Sequence, residues 1–312
     1  PILNLHYANF NPLYNDANFY NNEISISHVG EINTNGNFLF CQNFICNEKT
    51  SKTTGFDYFI KYLREGATLD RVQGCEFKNE YFDELGFCAG ISSFQGNFAV
   101  MFADIDPANT SEPCFPMSIR KSTFEGMLTA LRHSSPTMLS SNRMRVLEAV
   151  FTNNKENIVD AAAHTSFVYG NEIDWTSSYS TAAFGASAKF GVFNTWGWGT
   201  EIFENTITND QSLEFTGILT NQNVWDPSFN TGNIFKNIVE NKGGTKIGTG
   251  QITDGDNSFL QMSCNTYINL NQDWFLNGSL PTVQGILGTT HNNNIWTAGC
   301  SGNSTFDGTS SS

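Results

Sequence analysis

The chain has 312 residues and a mass of 34.6 kDa, long enough to bury about three quarters of its unfolded surface without a metal or disulfide. Its 16 Lys and Arg against 30 Asp and Glu give a net charge of −14 and a pI near 4.6. Such a surface repels phosphate and excludes sequence-specific nucleic-acid binding as an expectation, while 39% hydrophobic and 13% aromatic residues exclude a disordered chain.

Charged residues make up only 15%, and Asn, Ser and Thr carry the polar balance. Asn and Ser compete with the helix backbone for hydrogen bonds, whereas the 27 Phe and 6 Trp suit pleated surfaces. Composition therefore predicts a mainly β chain. The cysteines are Cys41, Cys46, Cys75, Cys88, Cys114, Cys264 and Cys300. Their number is odd and no CxxC pair occurs, so free thiols from a reducing compartment are expected, not a zinc ribbon or a thioredoxin-type centre. No apolar run is long enough to predict a membrane span, and no leader pattern follows Pro1.

Along the chain, residues 1–22 alternate aromatics with Asn without a stable period and read as an extended N-terminal arm. Residues 23–29 alternate as a strand, and Asn35-Gly36 predicts a hairpin before the next apolar run. Phe56, Phe59, Ile60 and Leu63 have helical spacing, closed by Gly66. Residues 86–104 return to strand-like runs. Ser122 and Glu125 have capping-box spacing ahead of Phe124, Met127, Leu128 and Leu131, which predicts a second helix ended by Pro136. Residues 140–152 fit helix or strand, and 156–164 read as a helical turn or two. From about 165 short alternating runs recur between Gly, Asn and Asp, and all six Trp lie there. That pattern predicts a sandwich or barrel. No short fixed period is visible, which disfavours solenoids. Residues 301–312 read as a flexible C-terminal tail.

Reactive constellations are scarce. There is no GxSxG and no HExxH, and the five His are far apart in sequence. Neither a catalytic residue nor a cofactor site is expected, and the chain reads as a non-enzyme. The densest basic segment holds Arg120, Lys121, Arg132, Arg143 and Arg145, interrupted by Glu125, and reads as a solvated face. Two acidic pairs are candidate cation ligands. Asp104 and Asp106 share one face if extended, against a plain turn at Pro107. Asp254 and Asp256 resemble the start of a calcium loop, against an Asp-Gly turn between strands. Trp196 and Trp198 put two indoles on one face of an extended segment, a glycan-stacking pair or buried core.

The layout of two strand-rich halves, an arm and an Asn- and Phe-rich acidic composition resembles the double jelly-roll major capsid proteins of icosahedral, internal-membrane-containing bacteriophages of the flavobacterial type. The resemblance implies two eight-stranded β-sandwiches side by side, with a few short helices. Its boundaries would be an arm at 1–22, a first sandwich with helical insertions at 23–160, a second sandwich at 161–300 and a tail at 301–312. It implies a homotrimer with a pseudo-hexagonal outline in a virion capsid, assembled in the host cytoplasm. Partners would be neighbouring capsomers, vertex proteins and an underlying viral membrane. The alternatives are a secreted β-sandwich glycan binder using Trp196 and Trp198, and a pore-forming protein refolding residues 178–208 into a membrane hairpin.

Overall fold

The computed structural model describes residues 117–279, apart from 128, 135–142, 162–164, 177–188, 196–198, 222–231 and 258–259. Before them it describes 69–79 and the strands of 2–63 and 98–103, and after them 295–296. The chain enters through β1 (Ile2–Leu5) and β2 (Asn18–Tyr20). Coils of three strands follow: β3 (Glu23–Ser27), β4 (Asn37–Phe40) and β5 (Asn43–Cys46); β6 (Tyr58–Leu63), β7 (Leu69–Gln73) and β8 (Glu76–Asn79); β9 (Phe98–Ala103), β10 (Met117–Arg120) and β11 (Thr123–Glu125). Next come β12 (Thr129–Ser134), β13 (Arg143–Leu147) and β14 (Val150–Thr152); β15 (Glu156–Ala161), β16 (Thr165–Tyr169) and β17 (Glu172–Trp175); β18 (Lys189–Thr195), β19 (Gly199–Phe203) and β20 (Thr206–Asn209). The last are β21 (Phe215–Asn221), β22 (Gly232–Phe235) and β23 (Ile238–Asn241); β24 (Thr249–Asp256), β25 (Leu260–Ser263) and β26 (Thr266–Ile268); then β27 (Gln272–Ser279) and β28 (Ile295–Trp296).

From β2 to β27 each strand pairs with the strand three places along, β1 pairs with β3 and β26 with β28, and every described pair is parallel. Three sheets result: sheet A with ten strands from β1 to β27, sheet B with eight from β4 to β25, and sheet C with ten from β2 to β28. This is a three-sheet parallel β-helix, in which each coil buries its inner face against its neighbours. The mainly β class expected from the sequence holds. The described strands do not form the expected double jelly roll, which pairs neighbours antiparallel; here the register runs parallel throughout. The boundary expected at 160 falls inside the stack, where β13–β16, β14–β17 and β15–β18 all cross it.

The interior is built from columns of like side chains. Sheet B contributes Ile119, Val146, Val168, Ile202, Ile234 and Met262, all within 1% of full burial. Sheet C contributes Phe77, Phe124 and Phe151, stacked at 4.8 and 5.0 Å, then Ile173, Ile207, Val239 and Tyr267. Sheet A contributes Leu131, Ile158, Val192, Ile218, Gln251 and Trp274.

The corner between sheets B and C repeats one device. A residue with positive φ (Gly74, Lys121, Glu148, Gly170, Glu204, Lys236 or Cys264) turns the chain, and the next residue points inward. Those inward residues are Cys75, Ser122, Ala149, Asn171, Asn205, Asn237 and Asn265. The asparagines form a ladder. The Oδ1 atoms of Asn205, Asn237 and Asn265 accept the backbone N–H of Asn171, Asn205 and Asn237 at 3.0, 3.1 and 3.0 Å. Their side-chain amides donate to the carbonyls of Val168, Ile202 and Ile234 at 3.0, 2.9 and 2.9 Å. Buried corner amides are thus satisfied from coil to coil, which fixes the register.

The expected helices are strands among the described residues. The 55–66 segment contains β6, and the 156–164 segment contains β15. At 122–134 the i, i+3 spacing comes from a corner: Phe124 points inward from β11, Met127 from the turn and Leu131 from β12. Ser122 Oγ accepts the N–H of Cys75 and donates to the carbonyl of Arg120, while Glu125 lies 3.9 Å from Lys78. Neither residue caps a helix.

Candidate interaction faces

Side chains alternate across each strand, so every inward column leaves an outward one. On sheet B the outward column beside the Asn corner reads Arg120, Leu147, Tyr169, Phe203, Phe235 and Ser263. These side chains are half-buried. The rings make one row: Tyr169 and Phe203 have centroids 4.7 Å apart, and Phe203 and Phe235 stack at 4.7 Å with planes 3° apart. Phe167, one column over, meets Phe203 edge-on at 4.8 Å. Stacking turns the flat faces of Phe203 and Phe235 towards each other, so the row presents ring edges outward as an apolar ridge.

Charge frames the ridge. Arg145 is exposed and Arg120 half-buried at the N-terminal end of the face. Along the adjoining corner, Lys121 pairs with Glu148 at 3.4 Å and Lys236 with Glu204 at 3.0 Å. Of the basic segment, Lys121 and Arg145 are exposed and Arg120 is half-buried; the side chains of Arg132 and Arg143 lie outside the described residues.

Sheet A carries a second outward column, Val159, Phe193, Leu219, Ile252 and Phe275. Val159 is 6% exposed, whereas Phe275, at the last strand of the sheet, is 40% exposed. The carboxylates beside this column have hydrogen-bond donors. Glu156 accepts the Thr129 hydroxyl at 2.6 Å, and Asp254 accepts the side-chain amides of Asn221 and Asn277 at 3.0 and 2.7 Å.

Asp254 and Asp256 sit in β24 and not in a turn between strands, because β24 runs straight through the Asp-Gly pair and stacks on β21 and β27. Asp256 is exposed at the strand end, and Asp254 is engaged by amides. No group of three or more potential metal ligands occurs among the described residues. Asp104, Asp106, Trp196 and Trp198 lie outside the described residues, as does Asn35-Gly36. Of the cysteines with described side chains, Cys75 is buried and Cys264 is an exposed thiol, at a corner position that points outward. The 178–208 segment contributes β18, β19 and most of β20 to three different sheets, with Lys189, Asn194 and Thr200 facing inward.

One buried group stands apart chemically. Lys189 is fully buried at the corner between sheets C and A. Its ammonium donates to Asn209 Oδ1 at 3.1 Å and Gln211 Oε1 at 2.7 Å, and lies 5.3 Å from the Trp175 ring centre. Burial among neutral partners pulls its pKa down to about 7. Tyr267 is pushed the other way, well above the ordinary phenol value, first by burial and then by the charge of Asp273. Both groups are interior, so neither offers a reactive site at the surface.

The ridge was not anticipated from the sequence. Its signal is a branched aliphatic, an aromatic, any residue and Asn: Val168-Tyr169-Gly170-Asn171, Ile202-Phe203-Glu204-Asn205 and Ile234-Phe235-Lys236-Asn237.

Compared with models of known families, with curated proteins and with solved structures, the chain matches none.

Proposed function

We propose that this chain is a non-enzymatic structural subunit that self-associates laterally, as a component of a virion. The observation that carries the reading is the pair of outward apolar columns running along the coil axis on sheets A and B. Continuous apolar patches on a chain of net charge −14 are costly to leave in water and mark interaction surfaces. A parallel stack holds such columns rigid along its whole length, because each strand is pinned by the next. The virion setting rests on the resemblance in composition and layout. The finer form of that reading, a double jelly-roll capsomer with a homotrimeric outline, needs antiparallel sandwiches, and the parallel register counts against it. A coil-built shell or spike component fits the same setting.

A glycan-binding role has one observation in its favour, the aromatic row on sheet B. Sugars stack on ring faces, however, and in this row the Phe203 and Phe235 faces are turned to each other. Protein packing uses ring edges as readily as faces. Electron microscopy of the concentrated, reduced chain tests the structural reading. Ordered rings, fibres or shells are expected. Dispersed single particles together with retention on a polysaccharide column would favour the glycan reading.

A further inference from the structure

We infer that two copies of this chain join face to face through sheet B with their coil axes antiparallel, about a two-fold axis that runs along β16 at Phe167. This rests on the self-association proposed above and assigns it a surface and a symmetry. On the outward column beside the aromatic ridge, Arg145 in β13 is in register with Phe167 in β16, and Phe167 with Glu201 in β19. Arg145 is exposed and Glu201 half-buried, and neither has an ion-pair or hydrogen-bond partner among the described residues. Two strand steps of about 4.8 Å, with the Phe167 position between them, separate the two charges within one copy.

A two-fold axis along the strand direction reverses the order of the coils and keeps each column opposite itself. Centred on β16, it sets Arg145 of each copy against Glu201 of the other, twice per contact. Phe167 and Tyr169 meet their own counterparts at the centre, and Leu147 meets Phe203 on either side. Arg120 falls opposite Phe235 at the ends, where its stem can cover the ring edge. Along the adjoining corner, Lys121–Glu148 and Lys236–Glu204 are already paired within each copy, so the rim brings no unpaired charge. With coil axes parallel, Arg145 would instead lie level with Arg145 and Glu201 with Glu201. Charge therefore selects the antiparallel arrangement. The face gives a footprint on the order of 500 Å² per partner, at the low end for a specific interface. The contact is accordingly weak and dependent on concentration. Being isologous, it closes at two copies, and growth beyond the dimer requires a second contact elsewhere.

Sedimentation of full-length variants under reducing conditions tests this by charge reversal. Arg145→Glu alone sets carboxylate against carboxylate at both crossings, and Glu201→Arg alone sets guanidinium against guanidinium. Each should weaken association at least tenfold. An equimolar mixture of the two should recover a one-to-one heterodimer, because both crossings then join unlike charges. Wild-type association in either variant overturns the inference. Two weakened variants that fail to recover on mixing also overturn it. Circular dichroism establishes that both fold. Should a reversal unfold the chain, Arg145→Gln and Glu201→Gln take its place. Each should weaken association several-fold, their mixture regains one of the two pairs, and unchanged association again overturns the inference. A wild type that stays monomeric at every concentration would instead remove the self-association reading itself, and this contact with it.

Discussion

Asn205 ties three successive coils together with a single side chain. Its Oδ1 accepts the N–H of Asn171 at 3.0 Å, and its amide donates to Val168 O at 3.0 Å and to Asn237 Oδ1 at 2.9 Å. Asn205→Ala leaves a buried N–H and a buried carbonyl without partners. The expected loss is about 2–4 kcal/mol, measured by urea unfolding. Lys189 gives a second prediction at this scale, with a sign. Burial holds its folded pKa at about 7, below the ordinary lysine value of 10.5. Between those values the unfolded chain holds more protons than the folded one, so stability rises with pH, by at most about 1.4 kcal/mol per pH unit. Below pH 7 this contribution is flat. Tyr267 acts oppositely above pH 10, where the unfolded chain loses the phenol proton that the folded chain retains. Thermal scans should therefore show stability climbing from neutral to mildly alkaline pH, and Lys189→Met should abolish the climb.

The strand and its corner are the next scale. On sheet A, Gly191, Gly217 and Gly250 fall at successive coils where backbones pass closely. A Cβ at Gly250 would lie 2.6 Å from the carbonyl oxygen of Asp273 and would overlap the Tyr267 ring. Gly244, in an exposed corner, has nothing within 4 Å of such an atom. Gly250→Ala should cost about 1–3 kcal/mol and Gly244→Ala less than about 0.5 kcal/mol, compared in one denaturation series. Corners also explain what the sequence concealed. The mainly β class was legible, because Asn, Thr and Phe dominate and short alternating runs recur. The coil was not, because equivalent corner positions are 22 to 47 residues apart, so no fixed period exists. Helical spacing at Phe124, Met127 and Leu131 arose from a chain that bends and faces inward on both sides of the bend. The ladder's Asn residues were counted as general polar composition, although three of them follow the same aliphatic–aromatic–x step. The outward aromatic row was hidden for a related reason. Acidic and Trp pairs were sought within single segments, whereas a coil assembles its columns from residues some thirty positions apart, as Phe203 and Phe235 show.

At the scale of the whole molecule, the division of labour between inside and outside is what matters. Inside, aliphatic columns, a Phe stack and an Asn ladder fix one strand on the next. Outside, Tyr169, Phe203 and Phe235 on sheet B and Phe193, Leu219 and Ile252 on sheet A are half-buried, and Phe275 is 40% exposed. An acidic chain reaches a second copy most readily through apolar surface, where like charge repels least. The account therefore stands or falls on whether copies meet. Sedimentation equilibrium of the reduced chain over a wide concentration range measures this directly. The account predicts a mass that rises from 34.6 kDa to two copies or more as concentration increases. A mass that stays at one copy throughout would contradict it.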